Sequence, residues 1–111
     1  MHDTKPTHCM LYVTAASKDE ALHIGRTLVT EGLVACANVL PGMRSIYRWQ
    51  GAVEEAEETV LIAKTRKDLA EAAVARVEAL HSYDVPCAVM YDVAGGLPAY
   101  LDWIDASTHK G

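Results

Sequence analysis

The segment LVACANVLPGMRSIYRWQGAVEEAEETVLIAKT, residues 33–65, predicts one long hairpin of two strands. Its first arm, residues 33–49, is interrupted by a Pro-Gly step at 41–42, where a proline cannot donate to a ladder and a bulge or bend is expected. A short turn at 50–51 leads into the second arm, residues 52–65, which is polar at first and apolar later. A turn at this place pairs residues whose numbers sum to about 101.

A strand and a helix precede this hairpin. CMLYVTA, residues 9–15, is a continuous apolar run of strand formers, as expected for a strand covered on both faces. The following SKDE offers a capping box, with Ser17 as the N-cap and Glu20 reaching back from the third helical position. Gly32 supplies the left-handed stop that ends the helix.

A second helix, a fourth strand and a short helix follow the hairpin. Thr65 and Asp68 give a second capping signal, which opens the helix. YDVPCAVMYDV, residues 83–93, predicts a strand, because Pro86 marks its start and the run after it is apolar. Pro98 stands where a first helical turn tolerates proline, so the AYLDWI that follows predicts a short final helix.

The order of these elements is strand, helix, strand, strand, helix, strand, helix. Such a split β-α-β pattern predicts an α+β, ferredoxin-like sandwich with a four-stranded antiparallel sheet, spatial strand order 4-1-3-2 and both main helices on one face. We expect one domain over residues 1–111, with a polar leader at 1–7 and a C-terminal tail at 106–111. The other sheet face is left bare and apolar, so we predict an oligomer in which identical copies cover it.

The composition excludes two classes of partner. Ten basic residues against 15 acidic ones give a net charge of −5, which repels phosphate backbones, so we expect no nucleic-acid partner. No apolar run approaches the ~20 residues of a membrane helix, and the N-terminus lacks the apolar core of a signal peptide, so we expect no membrane association. Three cysteines at no disulfide-framework spacing fit reduced thiols and a cytoplasmic location.

The stretch HSYDVPC, residues 81–87, is the first candidate for a metal site. The predicted topology brings its histidine and its thiol, His81 and Cys87, to the end of the first strand, near residues 14–16. Imidazole and thiol are ligands that copper or zinc accepts, although two of them make only a weak site. A histidine that ends a helix serves equally well as a cap.

Cys36 is the second candidate. The hairpin arithmetic places it close to Lys64 and Thr65, and an ammonium group nearby biases a thiol toward thiolate, the form that reacts or binds metal. The alternative is a small buried hydrophobe. No histidine lies within the expected reach of Cys36 in one subunit, so we do not expect an enzyme.

Several separated motifs resemble the CutA divalent-cation-tolerance proteins: LVACANVLPGMRSIYRWQG, the KT at 64–65, HSYDVP and YLDWIDAS. The likeness runs from about residue 10 to residue 108. The resemblance implies a ferredoxin-like subunit in a tight homotrimer, similar in architecture to the PII signalling proteins, with tolerance and binding of divalent metals, chiefly copper. By position, the polar cleft between subunits of that family would draw on Cys36, Tyr47, Trp49, Glu58, Lys64, His81 and Tyr83.

Two positions depart from the family pattern, since Ser82 and Cys87 take the places of a proline and a glutamate. Loss of the carboxylate disfavours a hard cation, whereas the thiol suits a soft metal. We therefore expect a cytoplasmic homotrimer that binds copper or a similar divalent ion in the response to metal ions, with His81, Cys87 and Cys36 as the candidate ligands. The alternative is a PII-like small-ligand sensor or a protein-interaction hub without catalytic activity.

Overall fold

The computed structural model describes residues 5–108, so part of the expected leader (1–4) and part of the tail (109–111) lie outside the described residues. Its strands and helices follow one another in the predicted order. They are β1 (His8–Ala15), α1 (Lys18–Thr30), β2 (Cys36–Trp49), β3 (Ala52–Arg66), α2 (Lys67–Leu80), β4 (Ala88–Val93) and α3 (Pro98–Ala106).

The strands form one antiparallel, four-stranded sheet in the order β2-β3-β1-β4, which is the predicted order read from the other edge. β1 lies in the centre and pairs antiparallel with both β3 and β4. Side chains of α1 and α2 pack in one cluster with side chains of β1 and β3, so both long helices cover the same face of the sheet. The predicted α+β, ferredoxin-like sandwich is confirmed.

The helix-covered face holds the hydrophobic core. Alternate side chains of β1 point to it, because successive residues of a strand face opposite sides of the sheet. α1 approaches this face very closely at Gly25, where an added Cβ would lie 3.2 Å from the Ala37 Cβ and 3.3 Å from a methyl group of Leu61. The buried members of the core are Leu11, Val13, Ala15, Ala21, Ile24, Leu28, Val34, Leu61, Ala63, Ala73 and Val77.

The start of α1 is capped almost as the sequence predicts. The Ser17 hydroxyl accepts a hydrogen bond from the Glu20 N–H at 3.1 Å. The Glu20 carboxylate accepts from the N–H of Ala16 at 2.9 Å, one residue earlier than a standard capping box. At the other end of the helix, Gly32 has a φ of 73°, the predicted left-handed stop.

The start of α2 differs from the prediction. β3 continues through Arg66, which is the N-cap of α2 and makes no side-chain capping bond. Thr65 is fully buried, and its hydroxyl donates to the carbonyl oxygen of Leu33 at 2.6 Å. A buried hydroxyl needs a partner, and the carbonyl between α1 and β2 is within its reach, so Thr65 joins two segments instead of capping a helix.

The long hairpin follows the predicted register. Cys36 lies opposite Lys64 and Trp49 opposite Ala52, with a shift between Leu40 and Met43 at the Pro-Gly step. Two residues oppose one there, which defines a bulge. The turn residues 50 and 51 both have positive φ, 48° and 83°, as a tight hairpin of this kind requires. β2 begins at residue 36 instead of 33, and β4 begins at 88 instead of 83.

The second face of the sheet, which we name the open face, carries the other alternate side chains. Tyr12 of β1 stands between Ile62 of β3 and Val89 of β4 on this face. α3 covers only one end of it, where His8 Nε2 and a carboxylate oxygen of Asp105 are 2.8 Å apart. The exposed large apolar side chains that remain on the open face include Leu40, Val89 and Tyr91.

No helix within residues 5–108 combines the length and the apolar character that crossing a membrane requires.

Candidate functional site

A cavity of about 720 Å³ lies on the open face, where the hairpin beyond the bulge meets the loop between α2 and β4. We name it the hairpin cavity. It is within the size range of ordinary small-molecule sites. The residues that give it its chemistry are Tyr12, Tyr47, Trp49, Glu54, Glu58 and Tyr83.

A buried carboxylate, that of Glu58, forms part of the cavity wall. Glu58 is only 9% exposed, and both of its oxygens accept hydrogen bonds. The Ser45 hydroxyl donates to one oxygen, and the Tyr83 hydroxyl donates to the other at 2.9 Å. Burying a carboxylate without such donors is strongly unfavourable, so the two hydroxyls hold it in place.

The Tyr83 phenol is held in its protonated form. Burial, followed by the hydrogen bond to Glu58 and the charges of Glu58 and Glu20, raises the pKa of Tyr83 to about 12. A negative field at this point of the cavity therefore disfavours further negative charge. At neutral pH the hydroxyl remains a donor to Glu58.

His81 ends α2, and both of its ring nitrogens are hydrogen-bonded. Nε2 lies 2.7 Å from the carbonyl oxygen of Thr14, and Nδ1 accepts from the Tyr83 N–H at 3.1 Å. Since Nδ1 accepts, the proton of the neutral ring sits on Nε2 and is donated to Thr14. The histidine thus positions the loop against β1, and it could ligate a metal only by giving up one of these bonds.

Glu20 fixes the same loop from the side of α1. One carboxylate oxygen accepts from Ala16, and the other accepts from the Ser82 N–H at 2.9 Å. Partial burial alone would raise the pKa of Glu20, but the hydrogen bonds from Ser82 and Ala16 outweigh burial and lower it. One ionised side chain therefore joins the first turn of α1 to the loop that carries Tyr83.

The structure separates the predicted metal ligands into two places. Cys87 is exposed and lines the hairpin cavity, and its carbonyl accepts from the Thr14 N–H at 3.3 Å, so the expected meeting of this loop with the end of β1 is confirmed. Cys36 lies beside Lys64, with 4.0 Å between Sγ and Nζ, as the hairpin arithmetic predicts. Lys64 pairs with Met10, four residues before Thr14, which is roughly 13 Å along the strand.

Within one subunit these groups do not make a complete metal site. No cluster of three or more His, Cys, Asp or Glu side chains within the described residues is arranged to hold a metal ion. The structure does not bring Cys36 to His81 or Cys87, and His81 already uses both ring nitrogens. A soft metal bound at the Cys87 thiol would need further ligands from a second copy or from water.

Of the seven cleft residues that the resemblance implies, four line the hairpin cavity and three do not. Those in the lining are Tyr47, Trp49, Glu58 and Tyr83, and those outside it are Cys36, Lys64 and His81. Lys64 instead donates to the Asn38 side chain at 2.9 Å and lies 5.9 Å from the ring centre of Tyr100 in α3. Lys64 and Cys36 therefore form a second polar spot on the open face, separate from the cavity.

Several residues that line the cavity were not assigned to a site by the sequence analysis, among them Tyr12, Ser45 and Glu54. The signal for two of them was present in the hairpin register. Ser45 stands two residues before Tyr47, so both share one face of β2, and Glu54 is the direct ladder partner of Tyr47. For the contact between Glu20 and Ser82, which are far apart in sequence, no pattern gave a signal.

Known proteins of one family resemble this chain over most of its length. The family model of the CutA1 divalent ion tolerance protein matches residues 9–107. The divalent-cation tolerance protein CutA of Thermus thermophilus is 42% identical over 99 residues, which are 89% of this chain and 96% of that protein. The chloroplastic protein CutA of Arabidopsis thaliana is 38% identical over 101 residues, which are 91% of this chain but 56% of that relative. The chain thus spans little more than half the length of this plant relative.

Solved structures give the same result. The crystal structure of CutA1 from Oryza sativa superposes with a TM-score of 0.92 at 36% identity, covering 96% of this chain and 97% of that chain. The structure of the divalent cation tolerance protein from Thermus thermophilus gives a TM-score of 0.89 at 41% identity, covering 92% of this chain and 99% of that chain. This chain belongs to the CutA family of divalent-cation tolerance proteins.

Proposed function

We propose that the protein acts in divalent-cation tolerance as a cytoplasmic homotrimer that binds copper or a similar divalent ion weakly, at sites shared between subunits. Membership of the CutA family supports the role in metal tolerance. The observation that carries the proposal is the open face, which is apolar and lacks a covering helix over most of its area. Both the assembly and the shared sites depend on it.

The exposed side chains of the open face support the oligomer. Leu40, Val89 and Tyr91 are 47%, 43% and 54% exposed. They belong to β2 and β4, the two edge strands on either side of Tyr12 and Ile62. Contiguous apolar surface of this kind usually marks an interface, and closed rotational symmetry lets identical copies cover it for one another. The trimer is the closed form that the family resemblance implies.

The donor atoms support a soft metal instead of a hard one. Cys87 offers an exposed thiol at the edge of the hairpin cavity, and Cys36 offers a half-exposed one beside Lys64. A single thiol gives a low-affinity site, and ligands from a neighbouring subunit would raise the affinity. His81 would join only after losing its bond to Thr14 or to Tyr83, so we expect Cys87 to contribute most.

The cysteines also bear on the compartment. Cys9, Cys36 and Cys87 are all free, and exposed free thiols persist in a reducing environment such as the cytoplasm. Some relatives carry other labels, since the Arabidopsis protein is named chloroplastic and a structure from Archaeoglobus fulgidus is named periplasmic. Fractionation of the source cells tests the cytoplasmic location directly.

The proposal is tested by solution mass and by copper titration. Sedimentation of the purified protein at micromolar concentration is expected to give three times the mass of one chain, and a stable monomer would contradict the trimer. Copper(I) and the divalent ion Zn²⁺, each titrated against a competing chelator without oxygen, are expected to bind. Cys87→Ser should weaken binding by at least about tenfold, because even groups outside the coordination sphere contribute about 10- to 100-fold.

Matched variants separate the two thiols and the histidine. Cys36→Ser makes the same chemical change as Cys87→Ser on the other part of the open face, so the pair shows which thiol holds the metal. His81→Ala tests the imidazole, and an affinity equal to that of the wild type removes His81 from the site. If neither cysteine variant changes the affinity, the shared-site proposal is wrong.

The second candidate function is a PII-like small-ligand sensor or an interaction hub without catalytic activity. One observation favours a small ligand: the hairpin cavity has ligand-sized volume and a buried, oriented carboxylate in its wall. A thermal-shift panel of metabolites, cations and nucleotides tests it. If no compound raises the melting temperature, the small-ligand candidate is contradicted.

A further inference from the structure

Four aromatic side chains line the hairpin cavity, and they come from different parts of the chain. Tyr12 belongs to β1, Tyr47 and Trp49 to β2, and Tyr83 to the loop after α2. The three outside β1 retain substantial exposure, so solvent reaches their rings. The face of an aromatic ring carries negative potential and attracts a cation within about 6 Å of its centre.

The charged residues of the cavity wall are all acidic. Glu54, Glu58 and Asp84 line the cavity, and no lysine, arginine or histidine of the described residues 5–108 does so. The pleat of the hairpin causes this separation. Arg44 lies on the opposite face, where its guanidinium is 3.7 Å from the Glu55 carboxylate.

A hard metal ion is a poor fit for the carboxylates and aromatic rings of the cavity wall. The carboxylate oxygens of Glu58 are already bonded by Ser45 and Tyr83, and the acidic side chains of the described residues do not converge on one point. Hard cations need several oxygen ligands at close range, and aromatic carbons supply none. An alkylated ammonium group is weakly hydrated, donates no hydrogen bonds when fully substituted, and needs only aromatic faces and nearby negative charge.

We propose that the hairpin cavity binds a small organic cation through an alkylated ammonium head group, with Tyr47, Trp49 and Tyr83 as the aromatic walls and Glu54 and Glu58 as the neutralising charges. An anionic ligand such as a nucleotide would meet repulsion from every charged group of the wall. A neutral ligand would gain the apolar contact but not the charge. This inference rests on the small-ligand candidate function and is independent of metal binding.

A matched pair of ligands tests the role of charge. Choline and 3,3-dimethylbutan-1-ol have nearly the same shape, but only choline carries the ammonium charge. Titration calorimetry of the purified oligomer is expected to show choline binding at least about tenfold more tightly than the neutral alcohol. Equal affinities, or no choline binding at millimolar concentration, would overturn the proposal.

A matched pair of variants tests the place. Glu54→Gln and Glu55→Gln remove the same charge from neighbouring residues, but Glu54 lines the cavity and Glu55 lies on the opposite face of the strand. We expect Glu54→Gln to weaken choline binding several-fold and Glu55→Gln to leave it nearly unchanged. Equal weakening would show that only the net charge of the surface matters, and the cavity assignment would fail.

Trp49→Leu tests the aromatic wall while it keeps an apolar side chain. The side chain is mostly exposed, so the variant is expected to fold, and an unchanged circular dichroism spectrum checks this. Choline affinity should fall by about tenfold. If choline fails to bind while another compound of the thermal-shift panel raises the melting temperature, this inference is wrong and the sensor candidate stands. If no compound does so, both fail.

Discussion

The two faces of the sheet differ in what covers them. On the helix-covered face, Leu11, Val13 and Leu61 are completely buried within a single chain. On the open face, Leu40 and Tyr91 keep about half of their surface exposed. The first face supplies the stability of the subunit by itself, because α1 and α2 close it. The open face can be covered only by another copy of the chain or by a ligand, so our proposals for assembly and ligand binding both concern this face.

The largest expected loss of stability comes from a substitution in the core of the helix-covered face. Leu61 and Ile62 are neighbours in β3 that point to opposite faces. Leu61→Ala is expected to lower the free energy of unfolding by about 2 to 5 kcal/mol, since it leaves a cavity in the closed core. Ile62→Ala should cost roughly 1 kcal/mol within the subunit and act mainly by weakening the contact between copies.

Urea denaturation of both variants at two protein concentrations makes this measurement. The loss in Leu61→Ala should be nearly independent of concentration, whereas the loss in Ile62→Ala should grow as the protein is diluted and copies separate. Equal and concentration-independent losses would contradict the view that the two faces have different roles.

The next effect concerns the polar contact on the open face. Tyr83→Phe removes the donor to the buried Glu58 carboxylate and is expected to destabilise the protein by about 1 to 2 kcal/mol. Tyr91→Phe is the matched control, because Tyr91 is a more exposed tyrosine on the same face of the sheet. Thermal unfolding near neutral pH distinguishes them, and an equal change in melting temperature would contradict a structural role for the Tyr83 hydroxyl.

The same contact predicts a dependence on alkaline pH. The pKa of Tyr83 is raised to about 12 in the folded protein, from an ordinary value of 10.0. Its hydroxyl therefore stabilises the fold fully below pH 10, and this contribution is lost as the pH rises from 10 through 12. Tyr83→Phe should lack this part of the alkaline destabilisation, so the two stability curves are expected to converge above pH 10.

Most of the fold could be predicted from local patterns, because caps, turns and prolines mark where most of the helices and strands begin or end. The hairpin register followed from the turn at 50–51 and the Pro-Gly bulge, and both proved correct to within one residue. The start of α2 was wrong because the tertiary contact of Thr65 with Leu33 outweighs a local capping pattern. The start of β4 was wrong because His81 and Ser82 hydrogen-bond to β1 and α1, and the loop that follows them bonds to the β1 backbone only from Cys87 onward.

The candidate site was less predictable, for a physical reason. Some of its members, such as Tyr47, Glu58 and Tyr83, were found from the sequence, but the contacts between side chains were not. Tyr83 reaches Glu58, and Ser82 reaches Glu20, across 25 and 62 residues of sequence. Such contacts depend on where the loop after α2 folds back, and no periodicity of the sequence encodes that distance.

A smaller loss of stability is expected from the contact between Glu20 of α1 and Ser82 of the loop that carries Tyr83. Glu20→Gln keeps the shape of the side chain but removes the charge that accepts from Ala16 and Ser82. We expect a loss of about 0.5 to 1 kcal/mol at neutral pH, discounted because the group is partly exposed. Unfolding by urea measures it, and the Tyr83 loop should exchange its amide hydrogens faster in the variant.

The sign of its pH dependence follows from the lowered pKa of Glu20. Its carboxylate stabilises the fold fully above the ordinary pKa of 4.5, and this contribution is lost as the pH falls below 4.5 through the lower pKa of the folded state. The difference between the wild type and Glu20→Gln should therefore shrink in acid. A difference that stays constant from pH 7 to pH 3 would show that the charge is not its cause.

The smallest expected effect lies on the hairpin beyond the bulge, on the side opposite the open face. Arg44 and Glu55 are 3.7 Å apart, with side chains that are 63% and 57% exposed. Exposed pairs of this kind contribute about 0 to 1 kcal/mol and lose most of that in salt. Arg44→Met should therefore change the free energy of unfolding by less than about 0.5 kcal/mol at 0.15 M salt. If Arg44→Met lowers the free energy of unfolding as much as Tyr83→Phe does, this part of the hairpin is packed against another copy. The interface would then include the side of the hairpin opposite the open face.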